Sequence, residues 1–86
     1  MTHEQAKLKI SAFLGGPMQL VEYVNTNSQS TKDSKPEKIG EVLGDYRPYG
    51  AIRVVGYEGG KFYDEDGEPM RAAPNAWAPI PKGAIA

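Results

Sequence analysis

The chain has no cysteine, so neither a disulfide nor a thiolate-held metal can reinforce it. A single histidine leaves no second imidazole for a zinc site. Charge of one sign is also missing: ten lysines and arginines face eleven acids, for a formal net charge of -1. The basic residues are scattered among the acids, which argues against the electrostatic grip that nucleic-acid binding requires. No apolar run approaches the roughly 20 residues of a membrane span. The start, Met1-Thr-His-Glu-Gln5, has acid ahead of its lysines and none of the layout of a secretory leader. These absences point to a cytoplasmic protein with no membrane association. With 86 residues the chain makes one domain. A domain of that size buries only about 60–65% of its unfolded surface, so every large side chain counts.

What is present divides into a helical start and a strand-rich remainder. Thr2-His-Glu-Gln5 is a capping box, in which the threonine hydroxyl and the glutamine side chain satisfy each other's backbone N–H groups. Ala6, Ile10, Phe13 and Leu14 follow at helical spacing, and Gly15-Gly16-Pro17 stops the helix. The pattern predicts one amphipathic helix over 3–14. Met18–Val24, rich in apolar and β-branched residues, reads as a strand. Residues 25–36 are polar and aperiodic and read as a mobile loop. Residues 37–45 fit either a helical turn or a strand. Gly40 and Gly44 favour the strand, because each glycine weakens a helix by about 1 kcal/mol. Tyr46-Arg-Pro-Tyr-Gly50 is a turn, and Ala51–Glu58 is the clearest strand. Gly59-Gly60 suits a two-residue hairpin turn with positive φ at both positions. Residues 61–64 return as its partner. Asp64–Pro69 is a second turn with Gly67 at the left-handed position, and 68–71 forms a short edge strand. The expected fold is α+β: an N-terminal helix packed on an antiparallel meander of four to five strands.

The C-terminal third carries a pattern of its own. Gly56-Tyr-Glu-Gly-Gly-Lys-Phe-Tyr-Asp-Glu-Asp-Gly-Glu-Pro69, followed by Trp77-Ala-Pro-Ile-Pro81, resembles an uncharacterised family of bacteriophages and prophages, number five-five-one of the domains of unknown function. That family is similar in its aromatic strand, Gly-rich hairpin, acidic turn and closing His-Trp-Met-Pro-Leu-Pro. Tyr57, Phe62, Tyr63, Asp64, Gly67, Trp77, Pro79, Ile80 and Pro81 occupy the matching places. Ala76 stands where the family has histidine, and the family's N-terminal Trp-Ile-x-Val box is missing. The resemblance implies a phage or prophage origin and an accessory role. It supplies no activity.

The candidate sites have competing readings. Trp77, the only tryptophan, sits between prolines near the chain end. The structural reading is an internal anchor with Tyr57, Phe62 and Tyr63; the alternative is an exposed anchor for a partner. The acidic turn cannot be an EF-hand loop, because Phe62 falls on a ligand position and Ala73 falls where the bidentate glutamate belongs. His3 reads as a surface residue. The serines have no base near them in sequence, and no catalytic set emerges. Tyr46, Arg47 and Tyr49 place two aromatics and a guanidinium in one turn, suited either to packing on the sheet or to anchoring a partner. With the acids Asp64, Glu65 and Asp66 they form the expected partner surface. The expected function is non-catalytic binding of a host protein, with no cofactor and no metal. The alternatives are an oligomer that sequesters a nucleotide and a minor virion component. Homo-oligomerisation stays open.

Overall fold

The computed structural model of the protein describes residues 1–85. Two helices, α1 (His3–Leu14) and α2 (Pro17–Asn27), precede five strands: β1 (Gln29–Ser30), β2 (Gly40–Asp45), β3 (Ile52–Glu58), β4 (Lys61–Tyr63) and β5 (Ala76–Pro79). The strands form one sheet in the order β1-β5-β2-β3-β4, with every neighbouring pair antiparallel. The class is α+β, with the helices on one face of the sheet.

The start of α1 follows its sequence. The Thr2 hydroxyl accepts from the Gln5 N–H at 3.1 Å, and the Thr2 N–H donates to the Gln5 side chain at 2.8 Å. Ala6 and Ile10 are buried and Leu14 packs beside them, but Phe13, expected on the same stripe, is 55% exposed. The buried side of α1 includes Ser11 instead. His3, expected at the surface, donates from Nε2 to Glu41 of β2 at 3.0 Å, and its side chain is only 14% exposed.

Gly15 and Gly16 stop the first helix as expected, with φ of 111° and 139° that side chains rarely adopt. The chain then starts a second helix rather than a strand. Pro17 takes the first position of α2, where its missing N–H is no loss. The apolar run Met18–Val24 is therefore helical: Leu20 and Val24, four apart, are buried, whereas Met18 and Val21 are exposed. The Tyr23 hydroxyl donates to the Pro79 carbonyl at 2.7 Å and ties α2 to β5.

Residues 25–36 differ from the expected loop. Asn25–Asn27 finish α2 and Gln29–Ser30 pair with Ala76–Trp77. Thr31 is 4% exposed, and its N–H donates to the Asn75 carbonyl at 3.1 Å. The central sheet places Leu43, Val54 and Ala78 side by side on the helix face, and Val42, Val55 and Pro79 on the opposite face. The hairpin between β3 and β4 turns at Gly59 and Gly60, with φ of 58° and 87°. The expected strand over 68–71 reduces to a single bridge between Tyr63 and Pro69. β2, β3 and β4 form an antiparallel meander, and β5 inserts between β1 and β2.

Candidate functional site

Trp77 lies on the sheet face away from the helices and is 8% exposed. It clusters with Val42, Val55 and Phe62, and Tyr46, Tyr57 and Met70 pack against that group. Tyr57 and Phe62 meet edge-on with ring centroids 5.1 Å apart. Tyr63 is half-buried and stands outside the cluster. The indole N–H donates to the Ser34 carbonyl at 3.0 Å, so the polar segment after β1 is fastened over the ring. Gly44 makes this packing possible. A Cβ there would meet the Tyr46 ring and Val55 at 3.2 Å and Pro74 at 3.3 Å. Beside Trp77 runs an open groove of about 450 Å³, bordered by Val42, Pro79 and the exposed Ile39.

The turn after β2 is braced from several directions. Arg47 donates to both oxygens of Asp45, at 2.9 Å from Nε and 2.8 Å from Nη2. Its Nη2 also reaches the Asn25 side chain at 2.8 Å, which links the turn to α2. Asn75 donates to the Arg47 carbonyl at 2.7 Å. The backbone closes the turn through Gly50 N–H to the Tyr46 carbonyl at 2.8 Å, and Tyr46 N–H donates to the Ala51 carbonyl at 3.2 Å. The Arg47–Pro48 peptide is cis. The guanidinium hydrogen bond holds the Asp45 carboxyl below the usual carboxylate range, against a partial opposing effect of burial.

The three residues expected to act together in this turn have separate fates. The Tyr46 ring is half-buried against the Trp77 cluster, and its hydroxyl donates to the Ala72 carbonyl at 3.2 Å. Burial pushes that hydroxyl's pKa up, partly offset by the charge of Arg53. Arg47 is engaged within the fold. Tyr49 is fully exposed.

The acidic turn is a self-contained loop. Asp64 Oδ1 accepts from the Asp66 and Glu68 N–H groups at 2.9 and 3.0 Å, and Gly67 takes a φ of 82°. Asp64 and Tyr46 border one concavity of about 510 Å³, together with Arg53 and Arg71. Glu65 borders a different one, of about 260 Å³, with His3, Lys7 and Arg53. Asp66 is exposed at the tip. Among the described residues, no three metal-ligating side chains gather. No helix among them is long and apolar enough to cross a membrane.

Four residues of this region were not singled out from the sequence: Asn25, Arg53, Arg71 and Asn75. For Arg53 a signal exists, since a charge between Ile52 and Val54 in a strand must face away from their side. The two asparagines meet Arg47 across 22 and 28 residues of chain, and no local pattern encodes that meeting. In comparison with known proteins, the chain matches no family model, no curated protein and no solved structure.

Proposed function

We propose that the chain is a non-catalytic protein-binding module that acts by occupying a protein of the host cell, as an accessory protein of phage type would in the host cytoplasm. The phage assignment rests on the sequence resemblance of the C-terminal third alone. The binding assignment rests on one observation: Tyr49 stands fully exposed on a turn whose backbone and Arg47 are fixed to Asp45 of β2, to Ala51, to Asn25 of α2 and to Asn75. Tyrosine is among the residues that dominate interface energetics, and a rigid support lowers the ordering entropy lost on docking. The exposed Asp66 and the flanking acids add long-range attraction toward a basic partner surface and raise the encounter rate.

The test is affinity capture from bacterial lysate with the tagged chain, run beside its Tyr49→Ala variant. A specific partner retained by the wild type and lost by the variant is the expected result. Absence of any partner above background overturns the binding reading. Equal retention by both proteins removes Tyr49 from it.

A further inference from the structure

Of the chain's three arginines, Arg47 is paired with Asp45, while Arg53 and Arg71 have no carboxylate partner among the described residues. Both unpaired guanidiniums border the concavity of about 510 Å³ that begins at the base of the Tyr49 turn. The one acid on its wall is Asp64, whose Oδ1 already accepts two backbone N–H groups. Two cations against one anion leave this wall with one net positive charge on a chain whose formal net charge is -1.

The rest of the wall is apolar and held in place. Tyr46 is fixed through its hydroxyl to Ala72, and Met70, whose backbone N–H donates to the Phe62 carbonyl at 2.8 Å, packs against the Trp77 cluster. Arg53 projects from β3 between the buried Ile52 and Val54, so its base does not move. A guanidinium presents a planar fork of donors that fits a carboxylate with two parallel hydrogen bonds. The site therefore offers two unused forks beside a fixed apolar wall.

We propose that this concavity receives an acidic segment of a partner protein, whose carboxylates pair with Arg53 and Arg71 while an adjoining apolar side chain lies on Tyr46 and Met70. The apolar wall selects a peptide over a bare anion, because inorganic phosphate leaves Tyr46 and Met70 uncovered. This inference rests on the protein-binding reading and adds a second feature to the partner, an acidic segment next to the basic surface that faces Asp66.

The test is an NMR titration of the isotope-labelled full chain with a capped hexapeptide alternating glutamate and leucine. The arms are the same peptide with glutamine for glutamate, inorganic phosphate, and the Arg53→Ala/Arg71→Ala and Lys61→Ala proteins. The expected result is saturable shifts at Tyr46, Arg53, Met70 and Arg71 with the acidic peptide. The double arginine variant is expected to bind about tenfold more weakly, and Lys61→Ala to bind unchanged. Equal binding of the glutamine peptide, equal loss in Lys61→Ala, or the same shifts from phosphate alone overturns the proposal. So does the absence of any shift at peptide concentrations of about 1 mM, the weak end of specific recognition. If the acidic peptide fails while lysate capture remains Tyr49-dependent, this inference falls and the binding function stands. If the peptide binds and capture fails, the concavity keeps its acidic-peptide chemistry, and only the Tyr49-dependent occupation of a host protein falls.

Discussion

The two faces of the sheet are closed by different means. On the helix face, Ile10, Leu20, Val24, Leu43 and Val54 interlock under two helices, and Ala78 and Ala84 fill the space between. These are aliphatic side chains of moderate size, all but Ala84 held by regular elements. On the other face Val42, Val55, Phe62 and Trp77 are closed over by irregular chain, including the Ser34 and Pro74 segments. Here one large aromatic does what a helix does opposite. The difference shows how a short chain completes its second face: an indole and a few backbone hydrogen bonds replace an entire element. The concavities beside Trp77 and beside Tyr46 lie on the loop-covered side and its margin.

The sharpest way to break this comparison is to remove the indole. Trp77→Ala is expected to destabilise by about 3–5 kcal/mol, a large share of the about 5–15 kcal/mol that folded domains possess. The Ser34 carbonyl would also lose its donor. Urea unfolding followed by far-ultraviolet circular dichroism reads the loss. On the helix face Ile10→Ala is expected to cost about 2–4 kcal/mol, since Ile10 is fully buried but smaller. If Ile10→Ala proves the costlier change, the loop-covered face is a superficial layer, and Trp77 is not its stopper. Quenching of the wild-type indole by acrylamide offers an independent check: a rate equal to that of free tryptophan contradicts its burial.

A pair of glycines sharpens the same contrast. Gly44→Ala places a methyl group 3.2 Å from Tyr46 and Val55 and 3.3 Å from Pro74, all tighter than ordinary contact. The expected cost is about 1–3 kcal/mol from overpacking. Gly56 lies in the neighbouring strand, and a Cβ there meets its nearest atoms, in Tyr63, at 3.7 Å. Gly56→Ala is expected to be neutral, or stabilising by up to about 1 kcal/mol through the unfolded chain. Equal midpoints in urea for the two variants would mean that the loop-covered face yields to an added methyl group.

How far these features were legible in the sequence follows the range of the interactions. The capping box of α1 and the Gly59-Gly60 hairpin are local, and both stand as the pattern predicts. The second helix is hidden because Pro17 follows two glycines that end α1, and a proline marks the end of one helix and the start of another equally well. Its apolar residues are nearly continuous, and the four-residue spacing of Leu20 and Val24 is hidden among exposed Met18 and Val21. The insertion of β5 between β1 and β2 is a pairing of distant segments, so composition near Trp77 signals extension but not partners. The aromatic turn was visible as a site, yet the roles within it were not. Asp45 claims Arg47, burial claims Tyr46, and neither fact can be read from Tyr-Arg-Pro-Tyr alone.

The Asp45–Arg47 pair joins the two faces, because it holds the turn against α2 through Asn25. Its folded carboxyl titrates below the unfolded range, so its contribution to stability is present above the unfolded pKa. That contribution disappears as the pH falls through the folded value. Asp45→Asn is expected to lower stability at pH 7 by less than about 1 kcal/mol, discounted for solvent screening of a partly exposed pair. The acid limb of its stability profile is expected to be flatter than that of the wild type below the ordinary carboxylate range. Superimposable acid limbs in urea midpoints measured from neutral pH downward would show that the pair adds nothing.

The smallest effect on stability is expected at the most exposed residue. Tyr49 buries nothing, and its side chain makes no hydrogen bond among the described residues, so Tyr49→Ala should stay within about 0.5 kcal/mol of the wild type. The same substitution is expected to abolish partner capture, which makes it the inverse of Trp77→Ala: function lost with the fold intact. The separation depends on the brace beneath it. Asn75→Ala removes the donor to the Arg47 carbonyl and should loosen the turn without touching Tyr49 itself. If exposure alone made the tyrosine an anchor, Asn75→Ala would capture as the wild type does. If rigid presentation is what lowers the ordering loss on docking, capture should weaken while Tyr49 remains in place.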